Sequence, residues 1–303
     1  MSYILVLIAV ILLAVQFTFN KLFQLRVGAS VWASLFYSLS TGICTSIVFF
    51  AIGGFKPEFT LFSFVMALLS TLFSTIYTLI GFKIMEAGKF AIYMMFLMLG
   101  GMMLPYIFGV IFLDEKPSVL RIIGLVLLTA AIIIANLDTK KSESGKSSKK
   151  YILLCLSVFV LNGGVSIISK LHQIETTYKT VSAPSFVLIA NLINVVVIAA
   201  ILTVKGAWKK DAPAEIGAVT AKMTSAKTIV IICGAAIAGG TSYLFQLFGA
   251  AKLDASVLYP MVTGGSVVLS ALSGYICFKE KLSAKNTVGI IIAFAATLLF
   301  LNF

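Results

Sequence analysis

Acidic residues are scarce in this sequence. Eleven Asp and Glu stand in 303 residues, and none falls in the middle of a long apolar run. Histidine occurs once, at His172, and the four cysteines, Cys44, Cys155, Cys233 and Cys277, make no CxxC pair. Each absence removes a class of chemistry. One histidine and separated cysteines cannot assemble a His/Cys metal centre, so no metal and no other cofactor is expected. The cysteines read as small buried hydrophobes. With no acid at depth, and with His172 read as lying outside the core, acid–base catalysis has no constellation to run on, and the chain is not expected to be an enzyme. A proton-driven exporter of cationic drugs would use a carboxylate inside the membrane, and that residue is missing too.

Charge of either sign is also low. Only 11% of residues are charged and 60% are hydrophobic, with a mean hydropathy of +1.08; soluble domains carry about 25% charged residues. What the chain does have is long uncharged runs, and about 20 such residues cross about 30 Å of hydrocarbon as a helix. Ten runs are expected: Tyr3–Phe23, Val31–Gly53, Phe59–Phe82, Phe90–Leu113, Val119–Leu137, Tyr151–Ser169, Ala183–Lys205, Thr228–Ala250, Ala255–Phe278 and Ala284–Asn302. They are too long and too uniformly apolar for the alternating strands of a barrel. The first run has no basic leader and no cleavable small-residue site, so it is expected to be a retained helix.

The net charge of +12 does not point to nucleic acid, because the basic residues flank apolar runs without interleaved aromatics. It does orient the chain. With ten spans, the loops after spans 1, 3, 5, 7 and 9 share one side and carry 17 of the 23 Lys and Arg. The positive-inside rule then places both termini outside.

The chain also repeats itself. Gly100, Gly109, Ile111, Glu115, Lys116, Ser118, Gly124, Ala130 and Ala131 each meet an identical residue 165 positions later, from Gly265 to Ala296. "YIL" recurs at Tyr3 and Tyr151, and "KLFQ" at Lys21 answers "KLHQ" at Lys170. Five spans separate the paired motifs, and an odd number of crossings puts them on opposite faces. The expected architecture is all-α and polytopic, ten transmembrane helices as two inverted five-helix repeats, residues 1–137 and 151–303, joined by a Lys/Ser-rich linker at 138–150. The second half gains length in "KGAWKKDAPAEIGAVTAKMTSAK", where a short amphipathic surface helix is expected.

The doubled set of motifs resembles the drug/metabolite transporter superfamily, in its EamA-type branch. The residues that carry the resemblance are Lys21 and Lys170 near the ends of the first helices, "DEKPSVLRIIG" with "KEKLSAKNTVG" between fourth and fifth helices, and "FKIMEAGKFAIY" with "AAKLDASVLYP" between third and fourth. The chain departs from the pattern at Asp114 and Lys279, where the family has Gly, and at "VQFTFN" and "LNGGVS", where it has Trp-Gly. The resemblance implies a carrier whose central cavity is lined by the first, third and fourth helices of each half.

Polar groups at membrane depth are costly unless paired or facing a wet cavity, so they mark candidate contacts. Gln16, Asn20, Tyr77, Tyr93, Asn162, Tyr243, Gln246, Tyr259 and Thr263 are the expected substrate-binding residues. Lone Ser and Thr bond back to their own helix, whereas amides need several partners. Lys21 and Lys170 read either as snorkelling cations or as residues at the cavity mouth. Asn162-Gly163-Gly164 suits either a bend or close helix packing, and Pro105 and Pro260 are kink sites. Glu115 and Glu280 read as turn devices that favour the N-terminus of the helix that follows. Spans 5 and 10 read as scaffold.

The expected function is transport of a small amino-acid-like or other neutral, zwitterionic or anionic metabolite by alternating access. The alternatives are export of organic cations, quaternary amines or drugs, a channel, and a membrane binding or structural protein that transports nothing. A small-molecule solute and the lipid bilayer are the expected partners, not nucleic acid, and both a monomer and a homodimer are compatible with the sequence. The expected location is a bacterial plasma membrane.

Overall fold

The computed structural model describes residues 2–28, 30–86, 90–136, 149–208, 212–279 and 283–301. Every regular element among them is helical. The order is α1 (Ser2–Val27), α2 (Val31–Ile52), α3 (Leu61–Glu86), α4 (Phe90–Phe112), α5 (Val119–Asn136), α6 (Lys149–Ile174), α7 (Ala183–Trp208), α8 (Ala212–Met223), α9 (Ala226–Ala250), α10 (Ala255–Phe278) and α11 (Ala284–Leu298). Eight of them, all but α5, α8 and α11, are long and apolar enough to cross a membrane. Helices α5 and α11 are apolar but shorter, so length and composition support eight of the ten expected spans. Helix α8 lies where the amphipathic insertion is expected. The expected linker lies outside the described residues except for Lys149 and Lys150, which open α6.

Local chemistry sets the helix ends. Ser30 Oγ accepts from the Ala33 N–H at 3.2 Å, and Ser283 Oγ from the Asn286 N–H at 3.2 Å. Ser118, the repeat partner of Ser283, does the same for the Arg121 N–H at 3.4 Å. These are N-caps, each satisfying an amide that the first turn leaves open. At the other ends, Asp114 and Lys279 both adopt φ 53°. They stand at matching positions 165 residues apart, and they carry the left-handed conformation that Gly would adopt more easily.

The long helices pack in a closed cycle. Helix α1 packs on α9, α9 on α2, α2 on α7, α7 on α3, α3 on α6, α6 on α4, α4 on α10, and α10 back on α1. Exchanging α1–α4 with α6, α7, α9 and α10 reproduces the same cycle. Helices α5 and α11 pack on each other and against α4 and α10, outside the ring. Their outward residues Val126 and Ile291 are exposed apolar groups, as a lipid-facing surface requires.

Candidate functional site

The ring holds two polar cavities. One, of about 220 Å³, is lined by Gln16, Thr41, Thr45, Asn191, Ala235, Ala236, Gly239, Gly240 and Tyr243. The other, of about 110 Å³, is lined by Ser34, Leu35, Ser38, Ser74, Thr75, Thr78, Leu79, Asn194 and Ile198. No ionised side chain lines either among the described residues. Thr75 Oγ1 is buried with no hydrogen-bond partner among the described residues.

Two expected binding residues, Gln16 and Tyr243, line the larger cavity. Gln16 lies across Gly239: a Cβ built there would stand 2.5 Å from Gln16 Nε2. Tyr243 meets Ser169 Oγ at 2.8 Å, and because Ser169 donates to Val165 O, the phenol donates to the serine.

The other expected contacts line neither cavity, and several of them bond to neighbouring helices. Asn20 accepts from the Tyr37 hydroxyl at 2.5 Å. Asn162 donates to Leu97 O at 2.7 Å and packs on Gly101, joining α6 to α4. Ser166 follows it, donating to Gly101 O at 3.4 Å, the carbonyl whose helical partner is removed by Pro105. Tyr259 is buried and donates to Ser166 O at 2.5 Å. Tyr93 is buried against Gly81. Tyr77 packs beside it. Gln246 donates to Ser242 Oγ at 3.2 Å, and Thr263 is half-buried within α10.

Sequence reasoning missed α2 and α7. Thr41, Thr45, Asn191 and Asn194 are polar residues in mid-helix, and the rule that picked out Gln16 applies to them equally. The expectation drawn from the family, that only first, third and fourth helices line the cavity, drew attention away from them.

A cluster of charges stands at one end of the ring. Lys170 is buried and donates to Ala250 O at 2.8 Å and Leu253 O at 2.7 Å, carbonyls at and just beyond the end of α9. The Glu115 carboxylate accepts from the Ala255 and Ser256 N–H groups at 2.7 and 2.8 Å. Arg121 reaches Asp254 at 3.3 Å. The expectation for Glu115 is therefore corrected: it caps α10, not the helix that follows it. The open amides and the positive end of α10 attract it, and Gly109 leaves room, since a Cβ there would fall 2.5 Å from Glu115 Oε2. Glu280 lies outside the described residues.

His172 also departs from expectation. It is buried rather than outside the core, with Nε2 at 2.8 Å from Ser63 Oγ and its ring between Phe62 and Phe186. The bundle closes over it because α3, α6 and α7 converge there. Among the described residues no three His, Cys, Asp or Glu side chains group as metal ligands.

At the other end of α10, Lys21 Nζ stands 4.6 Å from the centre of the Phe278 ring. Lys170 reaches the turn just before α10 and Lys21 the last residue of it, about 36 Å of helix apart at 1.5 Å per residue over 24 residues.

No family model matches the sequence, and no curated protein matches it. Among 28 solved chains that do match, one crystal structure, described only as that of a protein, aligns over 98% of this chain and 95% of its own. The TM-score is 0.69 at 12% identity, a likeness of fold alone. Fold and composition together fit an all-helical integral membrane protein of the multi-pass kind. The likeness carries no activity with it.

Proposed function

We propose that the chain is a carrier of the drug/metabolite transporter type, EamA-like, in which two inverted five-helix repeats move a small metabolite by alternating access. The observation that carries the reading is the polar, uncharged cavity inside a closed ring of helices that maps onto itself when the halves are exchanged. Two further features support it. The Glu115 turn contacts the start of α10 while Lys279 ends it, so the two repeat motifs stand at opposite ends of one helix. Their preceding turns share the same left-handed residue at Asp114 and Lys279. Such halves can seal one end while opening the other at similar energy.

In this reading the described state is sealed at the end held by Lys170, Glu115 and Arg121. The smaller cavity reaches Ser34 and Ser38, toward the end where α2 begins. The basic loops put that open end in the cytoplasm and the termini outside. No catalysis is proposed, and a proton-driven exporter of cationic drugs is disfavoured because no carboxylate among the described residues lines the cavities.

The test is flux in proteoliposomes. A carrier gives uptake that saturates with solute and is stimulated by solute on the opposite side. Conductance without saturation would make the protein a channel, and binding without flux would make it a receptor or structural protein. For orientation, Ser147→Cys is expected to react with impermeant thiol reagent only from the cytoplasmic side.

A further inference from the structure

The cavity between α1, α2, α7 and α9 carries a chemical specification beyond being polar. We infer that it takes an uncharged solute presenting an N–H donor beside an acceptor, an edge of the carboxamide or nucleobase kind. This deepens the carrier reading and rests on it for the claim that the solute is moved.

The argument starts with charge. Among the described residues, no Lys, Arg, Asp, Glu or His lines the cavity. The buried cation Lys170 is committed to Ala250 O and Leu253 O. An ion held at this depth without a counter-charge costs several kcal/mol. Anions and permanent cations are therefore poor occupants, and a zwitterion would leave both ends unpaired.

Hydrogen-bond accounting comes next. Thr41 Oγ1 donates to Tyr37 O at 2.8 Å, and Thr45 Oγ1 to Ala236 O at 3.4 Å. Both hydroxyls spend their proton on the backbone and offer the cavity only acceptor lone pairs. Asn191 spends one N–H on Val187 O at 2.9 Å, leaving its carbonyl and its second N–H. Gln16 lies flat on Gly239, where only a residue without a Cβ leaves it room. Its carboxamide faces the cavity.

Two primary amides with donor and acceptor side by side therefore meet in one uncharged space. A carboxamide reads an adjacent donor–acceptor pair in bidentate fashion, as Asn and Gln read the edge of adenine in nucleic acids. Surplus acceptors from the two threonines favour extra N–H groups on the solute. The ring of Tyr243 adds a flat wall. A volume of about 220 Å³ equals roughly seven waters at ~30 Å³ each, below the ~300–1,000 Å³ of drug-sized sites. A small planar solute fits this description better than a lipid-like drug.

The experiment uses the full chain purified in detergent. Adenine and cytosine serve as probes, with choline, benzoate and glycine betaine as charged comparisons. Adenine and cytosine are expected to raise the melting temperature, and the charged probes are not. Adenine affinity, read by equilibrium dialysis, is expected to fall about tenfold or more in Gln16→Met and in Asn191→Leu, the scale of one bidentate pair, while both variants melt as folded proteins. Gln16→Glu serves if Gln16→Met does not fold; its carboxylate is expected to exchange base binding for binding of protonated amines.

No shift with either base overturns the inference, and so does base binding that survives in both amide variants. Base binding that needs both amides, without uptake into proteoliposomes, supports the chemistry and overturns the carrier reading. Saturable uptake of a charged probe without base binding supports the carrier and overturns the chemistry.

Discussion

The seam between α4 and α6 and the seam between α10 and α1 occupy the same place in the two halves, yet one is shut and the other is ajar. Gly100 and Gly265 are repeat partners, 165 residues apart, and each faces the opposite half. A Cβ on Gly100 would fall 2.2 Å from Phe159 O and 2.7 Å from its Cα, so backbone meets backbone. A Cβ on Gly265 would meet only the side chain of Val10, at 2.7 Å from Cγ1. Beside Val10 and Gly265 opens an apolar groove of about 320 Å³ between α1, α10 and α11. One pair of glycines thus supports two separations. Small residues permit close approach but do not compel it. In the carrier reading, exchange of these two separations between the seams is the motion itself.

The ends of α1 and α6 differ in the same sense. Arg26 Nε donates to Thr228 Oγ1 and its Nη2 to Ser225 Oγ, both at 3.0 Å, tying α1 to the start of α9. At the matching position after Lys170, Glu175 turns back instead and accepts from the Thr177 and Tyr178 N–H groups. Helices in matching positions of the ring are thus joined to different neighbours at their ends.

The largest expected effect comes from filling the shut seam. Gly100→Ala should cost at least the ~1–3 kcal/mol of overpacking, because backbone cannot step aside. Gly265→Ala should be near neutral, since Val10 can turn into the groove and Ala gains about 0.8–1 kcal/mol of helix propensity over Gly. Melting of the two variants side by side in detergent checks this, and equal losses would erase the distinction between the seams.

The next effect concerns the cluster that holds the sealed end. Glu115→Ala removes two charge-assisted bonds to the start of α10 and should cost about 1.5–3 kcal/mol, read as a lower melting temperature. If it instead leaves stability unchanged, the clamp contributes nothing to this state. Lys21→Gln, at the opposite end of α10, is expected to impair flux while leaving the folded yield intact.

The smallest effect is at Glu175. Its carboxyl is held below the ordinary carboxylate range by the Thr177 and Tyr178 amides. A depressed folded-state value means the contribution is present above the unfolded value and is lost as pH falls through the folded one. Glu175→Gln should therefore melt slightly below the parent chain at neutral pH and converge with it in acid. A gap that persists at low pH would show that the turn does not depend on the charge.

Some of this was legible from residues alone. Run lengths indicated the long helices, because crossing hydrocarbon requires length and apolarity in one segment. The insertion before Ala226 marked α8. Gln16 and Tyr243 were found as polar groups at depth. Asn162, Tyr93 and Tyr259 were chosen by the same rule, but the rule cannot distinguish a polar group that faces a cavity from one spent on a neighbouring helix. Asn162 meets Leu97 O and Tyr259 meets Ser166 O only after the bundle has formed. Glu115 illustrates the same limit: its spacing suggests a local turn, and its partners lie 140 and 141 residues away.

Sequence by itself determined the solvent, the helices and the doubling, because each depends on residues near one another in the chain. Tertiary packing decided which seam closes, which polar groups are consumed by neighbours and which two amides line one uncharged cavity. Those outcomes depend on backbone separation and helix rotation, quantities of a few ångströms that no run of residues encodes until another helix lies against it.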